Sequence, residues 1–103
     1  MVTRNTAIET GKKFVEEILN LGINLKKAYL FGSYAAEKQK QDSDIDIALI
    51  ADEFTGIGPV DVRLILKALR NYSIIQPITY STDDLKSDNP FLEEIKKTGV
   101  EIL

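Results

Sequence analysis

The 103-residue chain predicts a single α/β (α+β) domain, a sheet of at least three strands with helices packed on it. Three observations carry that expectation. Apolar residues recur at helical spacing in two stretches, Phe14, Val15, Ile18 and Leu21, then Val62, Ile65, Leu66 and Leu69. Short β-prone runs lie at residues 27–31, 44–51 and 73–79. Gly, Pro, Asn and Ser mark the joints between them.

Taken in order, Thr6 with Glu9 forms a capping-box pattern, and the helix it opens stops near Gly22. Residues 27–31 read as a strand, and Gly32-Ser33 turns it into a short helix through Tyr34, Ala35 and Ala36. Residues 39–43 are a polar loop. The strand 44–51 is apolar on both faces in its second half, which places it centrally. Gly56 and Gly58 make the next loop either a mobile lid or a tight connection. Pro59 suits the first turn of a helix that runs to about Asn71. Pro77 cannot donate to a ladder, so the strand 73–79 belongs at an edge or a bulge. Ser81 and Asp84 cap a short turn. Asn89-Pro90 opens the last helix, whose Glu93 and Glu94 come early and Lys96 and Lys97 late, in the order the helix dipole favours. Residues 100–103 add a short strand.

Composition narrows the chemistry. The chain has no Cys and no His, which removes disulfides, thiolate sites, imidazole bases and Ser-His triads. A metal would have to be hard and carboxylate-bound, Mg²⁺ or Mn²⁺ rather than Zn²⁺. A net charge of −3 argues against general nucleic-acid binding, although Lys12-Lys13 and Lys26-Lys27 leave room for a local basic patch. No apolar run approaches a membrane span, and the first residues lack a secretory h-region, so the expected location is cytoplasmic.

The most specific feature is a pair of motifs. Leu30-Phe31-Gly32-Ser33 is followed, after ten residues, by Asp44-Ile45-Asp46-Ile47. Alternation along a strand puts Asp44 and Asp46 on one face, about 6–7 Å apart, with Ile45 and Ile47 on the other. Two like charges so close need a counter-ion, and a divalent cation supplies it. A Gly-Ser bend beside them offers backbone N–H groups and a hydroxyl to a phosphate. Metal with phosphate points to nucleotide chemistry.

Those residues resemble the signature of the DNA polymerase β nucleotidyltransferase superfamily, and the length matches its minimal nucleotidyltransferases. The resemblance implies a mixed sheet with the site at one edge, and one minimal domain over residues 1–103. It implies that Gly32 and Ser33 hold the triphosphate of a nucleotide, ATP above all, and that Asp44 and Asp46 hold Mg²⁺ or Mn²⁺. The reaction would pass a nucleoside monophosphate to a hydroxyl acceptor. Relatives of this size often pair with an α-helical HEPN-domain protein as the antitoxin of a toxin–antitoxin system, so such a partner is expected.

One departure matters. Active members carry a third carboxylate on the strand after the second long helix, whereas residues 72–79 here contain no Asp or Glu. Gln76 is the nearest isostere and the candidate third metal ligand; it keeps an acceptor oxygen but loses the charge. Asp83 and Asp84 come too far along. Two functions therefore stay open, a working transferase or a catalytically silent module that acts by complex formation. Ser43 either joins the nucleotide site or only ends its loop. Lys38 and Lys40 read as a solvated loop, Tyr34 as packing beneath the short helix, and Asp61, Arg63, Lys67 and Arg70 as the wet face of the second long helix.

Overall fold

The computed structural model describes residues 2–103. Helix α1 is Arg4–Asn20, strand β1 Leu25–Phe31, strand β2 Ile45–Ala51, helix α2 Gly58–Leu69, and strand β3 Ile75–Ser81. The short helix α3 is Asp83–Lys86, α4 is Pro90–Thr98, and β4 is Val100–Glu101. The sheet order is β3-β2-β1-β4, with β2–β3 parallel and the other two pairs antiparallel, so the sheet is mixed.

Burial on both faces explains this order. Ile47 to Ala51 are all buried, as an internal strand requires. One face packs Ile45, Ile47 and Leu49 against Phe14 and Ile18 of α1 and Ile65 of α2. The other packs Tyr29, Ala48, Ile50 and Tyr80 against Leu92 and Ile95 of α4. Slipping β2 by one residue would move Ile45, Ile47 and Leu49 out of their layer, at roughly 2 kcal/mol per side chain. The same alternation then forces Asp46 onto the face shared by Ala48 and Ile50.

Pro77 lies in the edge strand β3, where its missing N–H costs no ladder bond to a further neighbour. That strand starts two residues later than expected, because Tyr72 N–H donates to Leu69 O and Ile75 N–H to Tyr72 O, closing turns through residues 69–75. The cap of α1 also differs from expectation: Thr3, not Thr6, is the N-cap, and its side chain accepts from Thr6 N–H. The segment after Gly32 is a run of turns rather than a helix, ended by Glu37 at φ 56°. Asn89 caps α4 as the sequence suggests, accepting from Leu92 N–H at 3.1 Å.

Candidate active site

The C-terminal end of β1 and the N-terminal ends of β2 and β3 meet at one end of the sheet. Phe31 of β1 pairs with Asp46 of β2, and Asp46 pairs with Gln76 of β3. Asp46 therefore sits between an aromatic ring and an amide, on the face covered further along by α4. Asp44 lies just ahead of β2, where Ile45 N–H donates to Ile74 O.

Gly32 follows Phe31 at φ 74°, a left-handed conformation that favours glycine. A Cβ built there would collide with Asp46 Oδ2. The bend thus lies directly against the Asp46 carboxylate, and glycine is required both for the turn and for the approach. After it, Ala36 N–H donates to Gly32 O and Lys38 N–H to Ser33 O. Among the described residues, the N–H groups of Ser33, Tyr34 and Ala35 and the Ser33 hydroxyl have no acceptor or partner. Free donors in consecutive turns form the kind of concavity that binds anions.

The electrostatics are unbalanced. Neither Asp44 nor Asp46 has a cationic partner within salt-bridge distance among the described residues. Burial, then the neighbouring Asp44 charge, pushes the Asp46 carboxyl above its ordinary value. Among the described residues no three acidic groups converge on a common point. Two carboxylates plus an amide oxygen still fit one type of cation. Mg²⁺ is held by one or two carboxylates together with substrate phosphates and water, not by an all-protein cage.

The remaining predicted residues fall out as follows. Gln76 is exposed beside Asp46. The Ser43 hydroxyl accepts from Lys40 N–H at 2.8 Å and its own N–H donates to Lys40 O, so it closes the loop that delivers Asp44. Tyr34 is buried in the core beneath the turn, and Lys38 and Lys40 are exposed. Lys26 and Lys27 are neutralised by Asp52 at 3.5 Å and Glu101 at 3.1 Å, which removes half of the suspected basic patch.

Asp61 contradicts its sequence reading. Arg63, Lys67 and Arg70 are exposed, but Asp61 is fully buried. Its carboxylate accepts from Thr55 N–H, Thr55 Oγ1, Gly56 N–H and Thr79 Oγ1, at 2.7–2.9 Å. Burial pushes its pKa up, but those hydrogen bonds outweigh it and hold the carboxyl below its ordinary value. Thr79 and Gln76 lie on opposite faces of β3, so Asp61 does not supply the third acid. The same bonds, with Gly56 at φ 89°, make the Gly56–Gly58 loop a tight connection rather than a lid. Thr55 and Gly56 lie only six and five residues before Asp61, but Thr79, which closes the site from β3, is 18 residues away. Asp84 accepts from Ser81 N–H and Oγ, at the far end of β3. A shallow pocket lined by Glu17, Asn20, Leu21, Lys67 and Ala68 lies between α1 and α2, on the sheet face opposite Asp46.

Comparison with known proteins bears on the fold and the family. A provisionally named protein adenylyltransferase of Methanocaldococcus jannaschii is 31% identical over 101 residues, which cover 92% of this chain and 97% of that one. The fold is shared with a provisionally named nucleotidyltransferase from Sulfolobus solfataricus, with a TM-score of 0.69 at 21% identity over 95% of this chain and 80% of that one. It is shared also with a chain of a toxin–antitoxin complex solved with AMP-PNP, with a TM-score of 0.57 at 24% identity over 89% and 72% of the two chains. The profile described as "Polymerase beta, Nucleotidyltransferase" matches residues 13–103, and the chain belongs to that family.

Proposed function

We propose that this chain is a Mg²⁺-dependent adenylyltransferase that moves AMP from ATP to a hydroxyl of a partner protein. The single observation that carries the reading is the Gly32 bend closed against Asp46, which brings N–H donors to two carboxylates, all without partners among the described residues. Gly32, Ser33 and the turn after them bind the β- and γ-phosphates. Asp44 and Asp46 hold the cation, with the Gln76 amide oxygen as a weaker third contact. The cation, when bound, neutralises charge on the phosphates and favours the deprotonated acceptor. The acceptor oxygen forms a bond to the α-phosphorus as the bond to pyrophosphate breaks, and the acceptor proton passes to solvent. Positioning and charge neutralisation suffice for such a reaction, so the lack of His and Cys is no obstacle.

AMP and a protein acceptor are favoured by the name of the Methanocaldococcus relative, and ATP also by the AMP-PNP of the toxin–antitoxin neighbour. That neighbour further supports an antitoxin role; an α-helical HEPN-domain protein as the partner is what the sequence resemblance implies. The site serves a cytoplasmic protein on this reading; among the described residues no helix is long and apolar enough to cross a membrane.

A second reading rests on Gln76. With an amide where a third acid would sit, the chain is a catalytically silent module that acts by binding its partner. Labelled ATP, Mg²⁺ and a HEPN-domain partner separate the two. Label on the partner, lost in Asp44→Asn, supports transfer. A stable complex that never acquires label supports the silent module and rejects the transferase.

A further inference from the structure

Beside the acidic pair lies an aromatic corner that phosphate binding leaves unexplained. Phe31 is the register partner of Asp46 and shares its sheet face. Its ring meets Phe91 edge-to-face, with centroids 6.3 Å apart and planes at 86°. The two rings differ in their surroundings. Phe31 packs against the second core layer, while Phe91 is 56% exposed. Exposing a phenyl ring forfeits burial worth about 2 kcal/mol, so its place invites a reason. Nor is its position loose. Asn89 caps α4 and Pro90 occupies the first turn, which fixes the backbone on which Phe91 stands.

We propose that Phe91, braced by Phe31, is the platform on which the nucleobase of the bound nucleotide stacks. The inference deepens the phosphate-site reading and rests on it. Only a ribose separates the α-phosphate of a nucleotide from its base. With the α-phosphate at Asp46, the base falls within reach of the neighbouring strand and of whatever covers its end. That strand presents Phe31, and the covering helix presents an exposed aromatic face. Stacking on a flat ring is tolerant of the base, so this platform adds affinity for purine nucleotides without hydrogen-bonded readout of their edges. Selection between adenine and guanine is accordingly weak at this site.

The test compares MgATP with magnesium tripolyphosphate, which carries the phosphates but no base, by calorimetry on the intact chain. Phe91→Ala is expected to weaken MgATP by roughly tenfold, the effect of losing one base–aromatic stack, and to leave tripolyphosphate unchanged. Phe91→Leu, which keeps apolar bulk without a π-face, should resemble Phe91→Ala, and Phe91→Tyr should resemble the parent. In the parent, the adenine H2 and H8 proton resonances should move upfield on binding, and they should not in Phe91→Ala. Equal loss of both ligands, or no loss of MgATP, overturns the platform while sparing the phosphate site. If the parent binds neither ligand, the phosphate site itself falls, and the platform with it.

Discussion

Asp46 is held where its charge is unwelcome: half-buried, against the Gly32 backbone, with Asp44 close by and, among the described residues, no side-chain cation within salt-bridge distance. Its pKa is raised in the folded chain, so the stabilisation its proton brings is complete below the unfolded value near 3.8 and is lost as pH rises through the folded one. At pH 7 the ionised group therefore strains the metal-free fold. Asp46→Asn is expected to raise the melting temperature of the metal-free protein at pH 7 and not at pH 3. It should also remove several kcal/mol of transition-state stabilisation, about a thousandfold in transfer rate. Scanning calorimetry with a chelator and a label-transfer assay check the two halves. Asp61 runs the opposite way. Its folded pKa is lowered, so its contribution is present above pH 3.8 and lost as pH falls through the folded value. Asp61→Asn turns an acceptor oxygen into a donor facing donors, and should cost about 2–4 kcal/mol in denaturant unfolding without altering the residues of the proposed nucleotide site.

At the scale of elements, the bend between β1 and the following turns is the joint on which the site depends. Gly32→Ala would force a side chain into a left-handed backbone, at about 1–2 kcal/mol, and drive its Cβ into Asp46. The expected outcome is a melting temperature lower by several degrees and loss of tripolyphosphate binding, both measurable on the same preparation. Gly99 has a comparable role at the other edge. A Cβ there would lie 2.6 Å from Ile95 O and 2.7 Å from Leu30 O, both backbone atoms that cannot swing aside. Glycine thus lets α4 pass closely beside β1, keeping Phe91 next to Phe31.

For the molecule as a whole, the decisive relation is the register between β2 and β3. It sets Gln76 directly beside Asp46, with strands about 4.8 Å apart. Gln76→Glu would then give the site three acids. It is expected to tighten Mn²⁺ binding and raise transfer at least tenfold, while lowering the melting temperature of the metal-free protein by adding like charge. Titration with Mn²⁺ and label transfer measure both. No change in either would show that Gln76 does not stand in a metal ligand's place.

Much of this was legible in the chain. Helical stripes and β-prone runs gave every major element, and Pro77 gave the edge position of β3. The Gly32 bend and the placement of Asp46 follow from local rules, since a turn needs adjacent residues and a strand alternates, whereas Asp44 lies just ahead of β2 and outside that alternation. Some readings failed on local hydrogen bonding, as at the cap of α1, the turns after Gly32 and the start of β3, and others on contacts between elements. Asp61 looked solvated because its helix position allowed it, yet partners on a loop and on β3 bury it. The exposed Phe91 could not be tied to the site before β1 and α4 were brought together. Sequence by itself determined the family, the acidic pair and the order of the major strands and helices, though not the turns that stand where a short helix was expected after Gly32. Tertiary structure alone decided that Gly32 touches Asp46, that Gln76 stands beside it and that Asp61 turns inward, because these depend on strand register and layer packing, which join residues far apart in the chain.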